Sequence, residues 1–93
     1  MAGEIRGFLH VSRAAGPGDP VQAEYRVAFA PVGGHLRVRH ATCEGLDGLT
    51  DFLRKARVPI PAIEHAWRTL VKRGVHSIAN VFLTAAQLEA LGL

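Results

Sequence analysis

With 93 residues, the chain has room for one hydrophobic core, and a single α+β domain spanning 1–93 is expected. Hydrophobic residues at 48% and charged residues at 20% exclude the composition of a disordered polypeptide. The formal net charge of +3 permits an acidic partner without requiring one.

The bases are unevenly spread. Residues 1–45 carry five against four acids, residues 46–75 six against three, and the remainder only the acid Glu89. Glu4 and Arg6 interrupt the start where a signal peptide would be apolar, and no later window approaches an uninterrupted membrane-spanning run. Cys43 has no second cysteine to pair with. These features lead to the expectation of a reducing, cytoplasmic setting and no membrane association.

From Ile5 the apolar residues alternate as Ile5, Leu9 and Val11, with Arg6, Phe8 and His10 facing the other way, which predicts a strand over about 4–13. Residues 13–20 gather two prolines, two glycines and an aspartate and predict an exposed loop. Alternation resumes over 21–31 with Val21, Ala23, Tyr25, Val27 and Phe29 on one face. The pair Gly33-Gly34 has the chemistry of a two-residue hairpin turn leading to a third strand over 35–43. That turn would set Phe29 against Val38, Val27 against His40 and Tyr25 against Thr42 inside, with Arg37 and Arg39 outside.

After Gly45 the period lengthens to that of a helix. Leu49, Phe52, Leu53 and Ala56 predict one over about 47–57, ended by Val58-Pro59-Ile60-Pro61. A second helix over 61–73 presents Ile63, Ala66, Trp67, Leu70 and Val71, with Gly74 as its left-handed cap. Residues 75–83 read as a short strand or an irregular segment, with Ile78 and Phe82 on one face and Val75, Val81 and Leu83 on the other. Thr84 and Gln87 form a capping-box pattern for a short helix over 85–91. The expected architecture is therefore a three-stranded antiparallel sheet followed by helices.

Two surfaces carry the functional expectations. The first is the apolar stretch after Gly74, more than so small a domain is expected to bury. Ile78, Val81, Phe82, Leu88 and Leu91 are the expected partner-binding residues of a non-enzymatic interaction or regulatory module, which docks on a protein or self-associates. The second is the outer sheet face, where Arg6, Phe8, Arg26, Arg37 and Arg39 would serve the alternative, a nucleic-acid-binding domain. There arginines would hold phosphates and Phe8 would stack on an unpaired base.

Other classes find less support. Arg54, Lys55, Arg57, Arg68, Lys72 and Arg73 cluster mostly near helix C-termini, where the dipole already favours cations. The connection Val58-Pro59-Ile60 lacks the glycine common in a helix-turn-helix, and Trp67 belongs to the apolar stripe. His40 and Cys43 have ligand-like spacing, but no second pair completes a metal site, so neither metal nor cofactor is expected. No nucleophile elbow or phosphate loop appears, and a small enzyme would need a polar pocket around His40, Cys43 and Glu44.

Overall fold

In a computed structural model, residues 3–14, 19–33 and 37–93 are described, and all structural statements below concern these residues. The elements follow in the order β1 (Ile5–Arg13), β2 (Glu24–Pro31), β3 (Arg39–Glu44), α1 (Gly45–Lys55), α2 (Ile60–Arg73), β4 (Val75–Leu83) and α3 (Ala85–Ala90). The sheet has four antiparallel strands in the order β3-β2-β1-β4, not the expected three. The segment 75–83, ambiguous in sequence, is the fourth strand, paired with β1 along most of its length.

β1 and β2 pair as their alternation dictates. Leu9 faces Phe29 and Val11 faces Val27 on the inner side, while Phe8 faces Ala30 and His10 faces Ala28 on the outer side. β2 starts at Glu24 rather than near 21, because the Asp19 side chain and backbone accept hydrogen bonds from the amides of Val21 and Gln22 and hold that stretch in a turn.

The register between β2 and β3 differs by one residue from the expected one. Phe29 lies opposite Arg39, Val27 opposite Ala41 and Tyr25 opposite Cys43. His40, expected inside, is therefore exposed on the outer face, and Cys43, expected outside, is buried. The physical reason lies in what each register buries. The two-residue turn would have placed the imidazole of His40 and the hydroxyl of Thr42 against the core, whereas the observed pairing turns small Ala41 and Cys43 inward. Arg39 takes the inward parity near the start of the edge strand, where it stays exposed and its Nη1 donates to the Leu93 carbonyl at 3.2 Å. The second glycine of the expected turn lies outside the described residues, as does much of the Gly/Pro loop.

Helices pack on the inner face only, closing a core of Leu9, Tyr25 and Phe29 with Leu49, Leu53 and Leu70. The chain passes from β3 into α1 at Gly45, whose φ of 72° lets its amide and that of Leu46 donate to the carbonyls of Ala23 and Val21. A Cβ there would lie 2.8 Å from the Val21 carbonyl oxygen. α1 ends in a Schellman arrangement, with the amides of Arg57 and Val58 donating to the carbonyls of Arg54 and Leu53, but the left-handed position is held by Arg57 at φ 62° instead of glycine. Between the helices, the Trp67 indole Nε1 donates to Thr50 Oγ1 at 2.9 Å.

The end of β1 caps α2. Arg13 donates from Nη1 to the carbonyls of Leu70 and Val71, and its amide donates to the carbonyl of Gly74, which sits at φ 80° as expected for the helix cap. The Thr84–Gln87 capping box forms in full, and α3 closes with Gly92 and Leu93 bonded back to Glu89 and Leu88. No helix among the described residues is long and apolar enough to cross a membrane.

Candidate interaction surface: the open face of the sheet

A feature of β4 that the alternation did not anticipate decides which apolar residues face outward. The pairing of β1 with β4 shifts register between Gly7 and Leu9, and Asn80 there adopts φ 58°. This bulge switches the parity of the strand, so Ile78 joins Val81 and Leu83 on the inner side, and Phe82 faces outward with Val75 and Ser77. The expected face shared by Ile78 and Phe82 is thereby corrected.

The five expected partner-binding residues divide accordingly. Val81 and Leu88 are buried, and Ile78 and Leu91 are half-buried against the core. They are packed because β4 joins the sheet and α3 folds back on it. Phe82 is 46% exposed.

Of the five residues expected to contact nucleic acid, Arg6, Phe8 and Arg26 lie on the outer face as read from alternation. Arg39 is corrected to the inner parity by the register of β3, and Arg37 lies exposed ahead of that strand. The outer face is thus less basic and more aromatic than expected. Phe82 pairs with Arg6 across β4 and β1, which puts it on the same face as Phe8 and diagonal to it. Phe8 is 37% exposed, and its ring lies nearly parallel to that of His10, with centroids 6.2 Å apart and planes at 16°.

Polar groups hold this surface in place. Arg6 Nη2 donates to Asn80 Oδ1 at 2.9 Å, tying the guanidinium to the bulge. His10 Nδ1 and Ser77 Oγ are 2.7 Å apart, fixing the imidazole between β1 and β4. Glu24 and Glu44 stand opposite each other at the far end of the sheet from Arg6. Neither Arg6 nor Arg26 has an acidic partner within ion-pair distance among the described residues. Half-buried Ala28 and Ala30 complete a flat centre on β2.

His40, Cys43 and Glu44 do not converge on a pocket. His40 and Glu44 point outward, whereas Cys43 is buried on the helix side, where burial first and Asp51 second push its thiol pKa up, away from nucleophile behaviour. No group of three or more metal-ligating side chains occurs among the described residues. The placing of Phe82 on the same face as Phe8 depends on β4 choosing β1 as its neighbour and on the bulge, so local alternation does not reveal it. Its only sequence signal was the apolar stretch itself.

No protein-family model matches the chain, and comparison with curated proteins and with solved structures finds no significant match.

Proposed function

We propose that this chain is a non-enzymatic interaction module that self-associates by packing the open faces of two sheets together. The observation that carries the reading is that Phe8 and Phe82 are both exposed, at diagonal positions on neighbouring strands, on a face that no helix covers.

Strand spacing and rise give each face a flat area of about 500 Å². Two copies would then bury about 1,000 Å², the lower range for a specific contact, so a reversible dimer is expected. The face is also self-complementary in charge. A two-fold axis in its plane, perpendicular to the strands, brings Glu24 and Glu44 of one copy toward the Arg6 end of the other. Sheets stacked in this way align within about 30°.

Sedimentation velocity over about 1–100 μM tests the reading, because an interface of about 1,000 Å² belongs to the weak, reversible class. The wild-type chain should shift from monomer to dimer, and Phe8→Ser with Phe82→Ser should remain monomeric with an unchanged urea midpoint. A wild-type chain that stays monomeric throughout removes self-association.

A second reading is favoured by one observation, the nearly parallel Phe8 and His10 rings with Phe82 exposed on the same face. These give unpaired bases a stacking platform, with Arg6 and Arg26 near the phosphates. Anisotropy titration with single-stranded RNA at about 50 and 200 mM salt checks it. Binding lost in the double phenylalanine variant but retained in Arg39→Ala is the expected pattern; equal binding by wild type and the phenylalanine variant contradicts it.

A further inference from the structure

A second surface lies on the helix side of the molecule. His65, Arg68, Thr69, Lys72 and Arg73 recur on α2 at helical spacing and share one face. With His76 of β4 they line an open concavity of about 480 Å³. The His65 and His76 rings meet edge to face, with centroids 5.3 Å apart.

Charge in this concavity is poorly balanced. Arg68 has a long exposed ion pair with Glu64 at 3.8 Å, and neither Lys72 nor Arg73 has an acidic partner within ion-pair distance among the described residues. The negative end of the α2 dipole, which would otherwise attract these cations, already receives the Arg13 guanidinium at the Leu70 and Val71 carbonyls. His76 shares this concavity with His65, Arg68, Lys72 and Arg73 of α2, and toward the sheet His76 and Arg73 also line a cavity of about 740 Å³ with His10, Arg26 and His40. Three cations and two imidazoles converge on one concave surface, an arrangement complementary to a compact multivalent anion.

We propose that the concavity between α2 and β4 binds a phosphate-bearing anion, with Arg68, Lys72 and Arg73 supplying charge and His65 and His76 supplying ring N–H donors. The proposal does not depend on the sheet face. It also gives His76 a role, because an anion beside its ring favours the imidazolium that burial and the neighbouring His65 disfavour. Burial first, and His65 second, hold the His76 pKa below its ordinary value in the free protein. Anion uptake should raise it, and binding should tighten as pH falls from about 8 to about 6.

A nucleic-acid backbone and a small free compound both present such a phosphate, and two probes separate these sources. The His65 and His76 ring resonances are followed by NMR against pH, alone and with either a short oligothymidylate or pyrophosphate, in phosphate-free buffer at low salt. The oligothymidylate keeps a constant charge over this range, so any pH dependence belongs to the protein. An upward shift of the His76 titration with both probes supports recognition of the phosphate group itself. A shift with oligothymidylate alone supports the polymer backbone, and one with pyrophosphate alone supports a compact phosphate. If three phosphates are neutralised, oligothymidylate binding should weaken about twentyfold between about 50 and 200 mM salt.

No shift with either probe overturns the proposal. So does a shift that persists when Arg68, Lys72 and Arg73 are all replaced by alanine in a variant that keeps its fold by circular dichroism. A shift abolished by Phe8→Ser with Phe82→Ser overturns it as well, since the probe would then occupy the sheet face.

Discussion

Gly7→Ala should be sharply destabilising, although the usual effect of replacing a strand glycine has the opposite sign. Gly7 is buried on the inner side of β1, between the outward residues Arg6 and Phe8. A Cβ at this position would lie 2.7 Å from the Ala30 carbonyl oxygen and 2.7 Å from two carbons of the Phe29 ring. Ordinary contact begins about 1 Å further out. One obstacle is backbone held in the β1–β2 ladder, and the other is a ring with no exposed surface and no free space to enter. Overpacking of this kind costs about 1–3 kcal/mol, and two fixed obstacles argue for about 3. Without the clash, the lost chain entropy of the unfolded state would make alanine more stable by about 0.4–1 kcal/mol, so the sign alone discriminates. Urea unfolding followed by Trp67 fluorescence gives the reading, with the midpoint expected to fall by about 2 M for a domain of this size. Adding Phe29→Leu to Gly7→Ala should offset part of the alanine's own effect by removing the ring. A Gly7→Ala midpoint at or above that of the wild type would refute the reasoning.

Other consequences are as specific. Arg57→Gly should stabilise the protein by up to about 1 kcal/mol, because Arg57 occupies a left-handed position that glycine adopts without steric cost; a lower urea midpoint would contradict this. Thr50→Val leaves the Trp67 indole N–H without its acceptor and should cost about 1 kcal/mol, whereas Trp67→Phe with Thr50→Val should cost less than the sum of the two single changes. Cys43 should react with a thiol reagent at least about tenfold more slowly in the folded chain than in urea, and equal rates would mean that it points outward. Because the His76 pKa is lowered on folding, the unfolded chain binds more protons as pH falls through 6.5; the stability conferred by the neutral ring is full above that value and is lost as pH falls through the folded-state pKa. His76→Asn should flatten this part of the plot of urea midpoint against pH in phosphate-free buffer, and an unchanged slope would count against it.

The elements whose patterns close on themselves were readable from sequence. The stripe of Leu49, Phe52, Leu53 and Ala56 needs only a helix to become one buried face, and the Thr84–Gln87 box involves residues three apart. What failed were inferences across two elements. Gly33-Gly34 has good turn chemistry, yet the turn does not by itself weigh the burial of His40 against that of Ala41; the helices make that choice by covering the inner face. The β4 bulge is less accessible still. Asn80 tolerates a positive φ better than most residues, but nothing local requires it to do so there.

The site was legible to the same degree and for the same reason. Alternation alone puts Arg6, Phe8 and Arg26 on one side of the sheet, and they are found there. The turn-based register misplaces Arg39 by one residue, and the sequence offers Phe82 only as part of an apolar stretch. The two corrections act together, since removing an arginine from the outer face and adding a phenylalanine moves its character from phosphate recognition toward apolar contact. The bulge strengthens that shift by binding Arg6 to Asn80, which occupies one donor of a cation otherwise free to meet a phosphate. Like Arg26, Lys72 and Arg73 have no acidic partner within ion-pair distance among the described residues, and they gather beside the His65–His76 ring pair. The proposed apolar association and the proposed anion binding thus draw on different side chains, and replacing Phe8 and Phe82 should remove the first and leave the second intact.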